Sequence, residues 1–160
     1  MSTTTMTHPD PAELTPHPRN SRRHDSAQVE ELRRSVRRFG VVAPIIVNDK
    51  QVVLAGHGIL EAALAEHLPT VPALVVEGLT DLEERAYLVA DNRLAEKSRW
   101  DPELLAAELA LLAPSVDLAD LGFTAWNPEV GLDTFTARQG EITEDDLETD
   151  HLCPCCGFEF

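Results

Sequence analysis

Residues 52–67, VVLAGHGILEAALAEH, pass from a β-type apolar run to a helical apolar pattern across one Gly-His-Gly triplet. Val52, Val53 and Leu54 form the run, and Leu60, Ala63, Leu64 and His67 then recur at the spacing of one helix face. A strand, a glycine turn and a helix N-terminus in this order build an anion site, because unbonded backbone N–H groups and the helix dipole both point at the turn. Ile59 follows the triplet where a charged or hydroxyl side chain would add grip. Any phosphate held here rests on backbone, His57 and cations from other segments.

Composition narrows the alternatives. The 160 residues suit one domain of ordinary size with tails, and only eight aromatic side chains make an aliphatic core the expectation. No run reaches the length of a membrane span, and the first residues lack a signal peptide's basic and apolar regions, so a cytoplasmic protein with no membrane partner is expected. The three cysteines all lie between residues 153 and 156, which excludes a disulfide framework for the domain. The net charge of −15 argues against general nucleic-acid binding. The charge is uneven, however, with seven of the thirteen basic residues between Arg19 and Arg38.

Along the chain, residues 1–12 are rich in Thr and Pro and read as a disordered leader. LTPHPRNSRRH, 14–24, reads as a short strand followed by a loop. Asp25 or Ser26 then caps a helix to Phe39, with Val29, Leu32, Val36 and Phe39 inward and Gly40 as its stop. Arg33, Arg34, Arg37 and Arg38 lie off that stripe, and Glu30–Arg34 is a supportive pair. PIIVNDKQVVLAG predicts a hairpin, and VPALVVEGL a buried strand. The segment 80–98 predicts a helix with Leu82, Ala86, Val89 and Ala90 inward. Another helix starts at Asp101-Pro102, with Leu105, Leu109 and Leu112 as its stripe. Residues 126–150 read as an acidic linker and 151–160 as a separate small motif. The expected fold class is α+β, a small mixed sheet with surrounding helices and helical C-terminal support.

LTPHPRNSRRH, RRSVRRFG, PIIV, VLAGHG, VPALVV and AYLVADNRLAEKSRWDPELL stand in the order seen in the ParB/sulfiredoxin superfamily. The chain most resembles the ParB-like "nuclease" domains of phages and mobile elements, over about residues 13–125. The resemblance implies a nucleotide box at Gly56-His57-Gly58, faced by Asn20 and Arg22, in a bacterial cell or a phage-infected host. It also implies a function in DNA modification, partition or packaging. Sulfiredoxins carry their catalytic cysteine at the His57 position, so His57 and the absence of any earlier cysteine exclude that chemistry.

Gly56, His57 and Gly58 are therefore the candidate phosphate nest, with Asn20, Arg22 and Arg23 closing over it. The alternative for the triplet is a tight turn that needs glycine for its backbone angles. Asp91 and Asn92 are poor helix formers placed mid-helix, which suggests contact with a ligand's ribose or metal, or an inward polar network. The Arg33, Arg34, Arg37 and Arg38 face is the candidate for DNA phosphates, against a plain solvated surface. Cys153-Pro154-Cys155-Cys156-Gly157 matches a zinc knuckle, with Cys153 and Cys156 as ligands and His151 as a further candidate. One knuckle supplies too few ligands, so a homodimer or another partner would complete it.

Three functions follow. The first is a module binding a nucleoside triphosphate, with Mg, or nucleic-acid phosphate. The second is a metal-dependent nuclease, NTPase or phosphotransferase using His57 as acid/base. The third is an adaptor docking to a DNA methyltransferase or packaging protein through its tail.

Overall fold

The computed structural model describes residues 3–123. The acidic linker and the Cys153, Cys156 and His151 motif lie outside the described residues. Five strands, β1 (Thr3–Thr7), β2 (Thr15–Pro16), β3 (Ile45–Asn48), β4 (Val52–Ala55) and β5 (Ala73–Glu77), form one sheet in the order β1-β5-β3-β4-β2. The sheet is mixed: β1–β5 and β3–β4 are antiparallel, whereas β3–β5 and β2–β4 are parallel. Four helices accompany it: α1 (Ser26–Phe39), α2 (His57–Ala65), α3 (Asp81–Glu96) and α4 (Pro102–Leu112). This is the expected α+β class.

The first residues overturn the expectation of a disordered leader. Thr3–Thr7 pair along β5 from Glu77 to Ala73, and the Thr7 hydroxyl donates to the Ala73 carbonyl at 3.4 Å. Strand β5 has one ladder edge left over after meeting the central strand β3, and β-branched threonines suit that edge. Pro9 continues the tie, its carbonyl accepting from Val71 N at 3.0 Å.

Leu14, Ile45, Val47, Val53, Leu60, Ala63, Val71, Ala73 and Val75 make the core, and no aromatic ring is among them. On β3 the pattern is period two through Ile45 and Val47, which are wholly buried. Asn48 then breaks the apolar pattern without leaving the interior, being only 4 % exposed. Its Oδ1 accepts from Lys50 N at 3.0 Å and Val52 N at 2.9 Å, which closes the expected hairpin turn. Its Nδ2 donates to Glu84 Oε1 at 3.0 Å, tying the sheet to α3. Both polar atoms of the side chain are thus hydrogen-bonded, as burial demands.

Asp25 caps α1 by accepting from Gln28 N at 2.7 Å, and Gly40 follows with φ +72°. Val36 is buried as expected, but Phe39 is 51 % exposed. Its ring lies beneath the Arg38 guanidinium, 5.6 Å from carbon to centroid, so a cation rather than the core covers it. Glu30 pairs with Arg33 and Arg37 instead of Arg34. Both arginines also reach Glu66 beyond α2, and this bidirectional clip draws Glu30 away from the expected partner.

Helix α3 begins at a complete capping box between Thr80 and Glu83. Its inward face differs from the expected one. Leu82, Ala86, Val89 and Ala90 are exposed, and Leu88 is buried. The Asn48–Glu84 bond sets the rotation of the helix, placing residue 84 and, four positions on, residue 88 against the sheet. In α4, Leu105 and Leu109 are buried as expected, whereas Leu112 is exposed. No described helix is long and apolar enough to cross a membrane.

Candidate functional site

Strand β4 ends at Ala55, and Gly56 turns the chain with φ +89° and ψ 25°. That left-handed conformation is the reason for glycine here. Helix α2 starts at once with His57, and no side chain caps it. Its first-turn N–H groups therefore remain available to an anion, reinforced by the helix dipole.

Gly58 has a different reason. A β-carbon at this position would lie 2.7 Å from Leu32 Cδ1 and 3.1 Å from His24 Cε1. Glycine lets α1 and the His24 ring pack directly on the first turn of α2. The two glycines of the triplet thus serve separate physical needs, one conformational and one steric.

A cleft of about 260 Å³ opens at this turn. It is lined by Gly56, His57, Gly58 and Ile59, by Asn20, Arg22, His24 and Gln28, and by Asp91, Asn92 and Ala95 of α3. Seven of the expected residues, Asn20, Arg22, Gly56, His57, Gly58, Asp91 and Asn92, are thereby brought together although they span three segments. Arg23 lines two adjoining recesses instead. His24 and Gln28 enter the site through a mutual contact, Nδ1 to Oε1, of 3.0 Å. The signal for them is a polar pair four residues apart that brackets the Asp25 cap of α1.

The site's hydrogen bonds organise its polar groups. Asn20 Oδ1 accepts from Arg22 N at 3.1 Å, a local turn that sets the loop's backbone. Asn92 Nδ2 donates to the Leu88 carbonyl at 2.8 Å, leaving its Oδ1 open. Arg22 reaches across to Glu96 Oε1 at 2.9 Å. His57 is buried, and its Nε2 accepts from the backbone N–H of His17 at 3.3 Å. In the neutral ring the proton then sits on Nδ1, so His57 is a hydrogen-bond donor. Burial holds its pKa below the usual histidine value; His17 and His24 add to that, and Asp91 opposes it. A neutral donor whose basic nitrogen is already engaged suits binding better than proton abstraction.

The basic face of α1 is largely spent within the fold. Arg33 Nε meets Glu66 Oε1 at 2.6 Å, and Arg37 NH1 meets the same oxygen at 2.7 Å. Arg38 lies 3.6 Å from Asp120, and Arg34 Nε is buried with no hydrogen-bond partner. Among the described residues no group of three or more His, Cys, Asp or Glu side chains is placed to hold a metal. Asp91 and the open Asn92 oxygen could contribute to an ion that arrives with its own phosphate oxygens.

Comparison with known proteins agrees with this architecture. Residues 1–93 match the ParB N-terminal domain family. The chain is 37 % identical over 73 residues to the ParB-like nuclease domain-containing protein YnaK of Escherichia coli K12, covering 46 % of this chain and 84 % of that protein. Its fold is similar to the C-terminally truncated chromosome-partitioning protein ParB from Caulobacter crescentus complexed with CTP-gamma-S, with a TM-score of 0.65, 22 % identity and 88 % of each chain covered. A Pnob8-like ParB-N domain is similar at a TM-score of 0.50 and 15 % identity, over 72 % of this chain and 52 % of that one. With its mixed sheet, its glycine turn and more than half its length matched, the chain belongs to the ParB N-terminal domain family.

Proposed function

We propose that the chain is a nucleotide-binding module of DNA metabolism that holds the phosphates of a nucleoside triphosphate in the α2 cleft. The observation that carries this reading is the uncapped first turn of α2, entered through a left-handed Gly56 and facing Arg22 and Asn20. Backbone N–H groups of the turn receive phosphate oxygens, and His57 Nδ1 donates beside them. Arg22 adds the positive charge that Ile59 does not supply. Asp91 and Asn92 are the residues that would hold a phosphate-bound Mg ion, which would neutralise phosphate charge. The Caulobacter ParB complex with CTP-gamma-S, which shares the fold, supports a triphosphate as the ligand class.

Nothing in the site favours turnover. His57 has its basic nitrogen engaged by the backbone N–H of His17, and among the described residues no imidazole or carboxylate is hydrogen-bonded to it. Binding without efficient catalysis is the reading this geometry supports.

Calorimetric titration with the four ribonucleoside triphosphates, with and without magnesium, tests it. Binding of at least one, lost on Arg22→Gln, is the expected result. No heat from any of the four at millimolar concentration rules the reading out.

A further inference from the structure

The cation of the cleft is already occupied. Arg22 NH1 lies 2.9 Å from Glu96 Oε1, while the other oxygen, Oε2, is 3.1 Å from Arg93 NH1. Glu96 is the last residue of α3, one turn beyond the cleft-lining Asn92. It stands beside the cleft rather than in its wall, bordering a neighbouring recess with Arg22 and Asn92. A phosphate entering at Gly56–Gly58 therefore meets an arginine whose partner is a carboxylate of the same chain.

We propose that Glu96 is an internal competitor for the phosphate site, holding Arg22 while the cleft is empty and yielding it to the incoming phosphate. This rests on the phosphate-binding reading above. The exchange is feasible on three grounds. The pair is exposed, with side chains 36 % and 47 % accessible, so solvent screening keeps it weak. A phosphate oxyanion accepts two parallel hydrogen bonds from a guanidinium and carries more charge than a carboxylate. Arg93 stays with Glu96 after the exchange, so no charge is stranded.

The exchange also reaches α3. The first half of this helix is tied down by the Asn48–Glu84 bond and by buried Leu88, but residues 93–96 are all exposed. Arg22–Glu96 is the cross-link from the 17–24 loop to that last turn. When phosphate takes Arg22, the end of α3 loses this tether while its beginning keeps both of its own. Site occupancy is thereby converted into looseness at one helix end.

The test uses the full chain, inorganic triphosphate as the probe, and a double-mutant cycle. Glu96→Gln keeps the shape and removes the charge, and it tightens triphosphate binding by about two- to fivefold, the weight of an exposed ion pair. In an Arg22→Gln background the same change gives no gain. A gain that persists without Arg22 reflects general loss of negative charge and overturns the competition. So does unchanged affinity in Glu96→Gln when wild type binds and Arg22→Gln weakens it, an outcome that leaves the phosphate site standing. No binding by wild type removes both readings together. Amide exchange supplies the second readout: triphosphate speeds exchange at residues 94–97 in wild type, and slower exchange there overturns the release.

Discussion

The backbone N–H of His17 donates to Nε2 of His57 across 3.3 Å, joining the loop after β2 to the first residue of α2. This bond is incompatible with a proton on Nε2. Protonating His57 therefore costs the loop contact as well as the desolvation that already depresses its pKa. Titration by NMR of the labelled imidazole should show the Nδ1–H tautomer and a midpoint below 6.5. Because the folded pKa is the lower one, the unfolded chain takes up this proton first. Stability then falls as pH drops from 6.5 towards the folded value, and this contribution levels off below it. A midpoint above 6.5 would show that the ring is not held in this way.

Gly58 is expected to be the more sensitive glycine to added volume. Gly58→Ala places a methyl group 2.7 Å from Leu32 Cδ1 and should destabilise by about 1 kcal/mol, the low end of overpacking, because the obstructing atom is a side-chain tip that can shift. Leu32→Ala in the same chain should recover part of that loss, because it removes the obstructing atom. Gly56→Ala has ordinary space, with Ile45 3.4 Å away, but a φ of +89° costs about 1–2 kcal/mol. Denaturant melts of the single and double variants separate the two causes: rescue by Leu32→Ala should be seen for Gly58 alone.

Asn48→Ala leaves Lys50 N and Val52 N without their acceptor and Glu84 without its donor. A loss of about 2–3 kcal/mol is expected, given a buried amide with three hydrogen bonds. Asn48→Asp keeps the acceptors but sets a second carboxylate against Glu84. Its penalty should shrink as pH falls and the carboxyls protonate, whereas that of the alanine variant should not. Parallel pH-dependent behaviour of the two variants would contradict the geometry.

Glu30 and Glu66 are held below the ordinary carboxylate range, Glu30 chiefly by its hydrogen bond to Arg37 and Glu66 chiefly by that to Arg33. The sign follows from the lowered folded pKa. Their contribution is present above the unfolded carboxylate value and is lost as pH falls through the folded one. Arg33→Ala should therefore lower the melting temperature at neutral pH, with the difference from wild type vanishing in acid. Any binding to non-specific duplex DNA, followed against salt, should keep its slope in this variant, since a paired arginine releases no counterion. A slope reduced by about one would place Arg33 on the phosphates instead.

The local signals in the sequence carried well. Asp25 and Gly40 bound α1, Asp101-Pro102 opens α4, and Asn48-Asp49-Lys50 turns the hairpin, because caps and turns are decided within four residues. The Gly56–Gly58 turn was legible for the same reason, and with it the seat of the cleft. What lay between distant segments was hidden. Nothing near Thr3–Thr7 announces that β5 has an edge to offer. The apolar residues of α3 allow two phases of rotation against the sheet. A hydrogen bond from Asn48, far back in the chain, chooses between them. Phe39 fits a buried stripe by spacing, yet the structure covers it with the neighbouring guanidinium of Arg38. His24 and Gln28 became part of the cleft only through the packing of α1 on Gly58.

The pairing of β1 with β5 also bears on how the chain reaches this state. Thr3 meets Glu77, so β1 waits for β5, the last strand of the sheet in chain order. The hairpin and α2 can form from near neighbours, but the edge closes only after the chain has been made beyond residue 77. Such distant pairing is slow, because loop closure precedes any gain from the contacts.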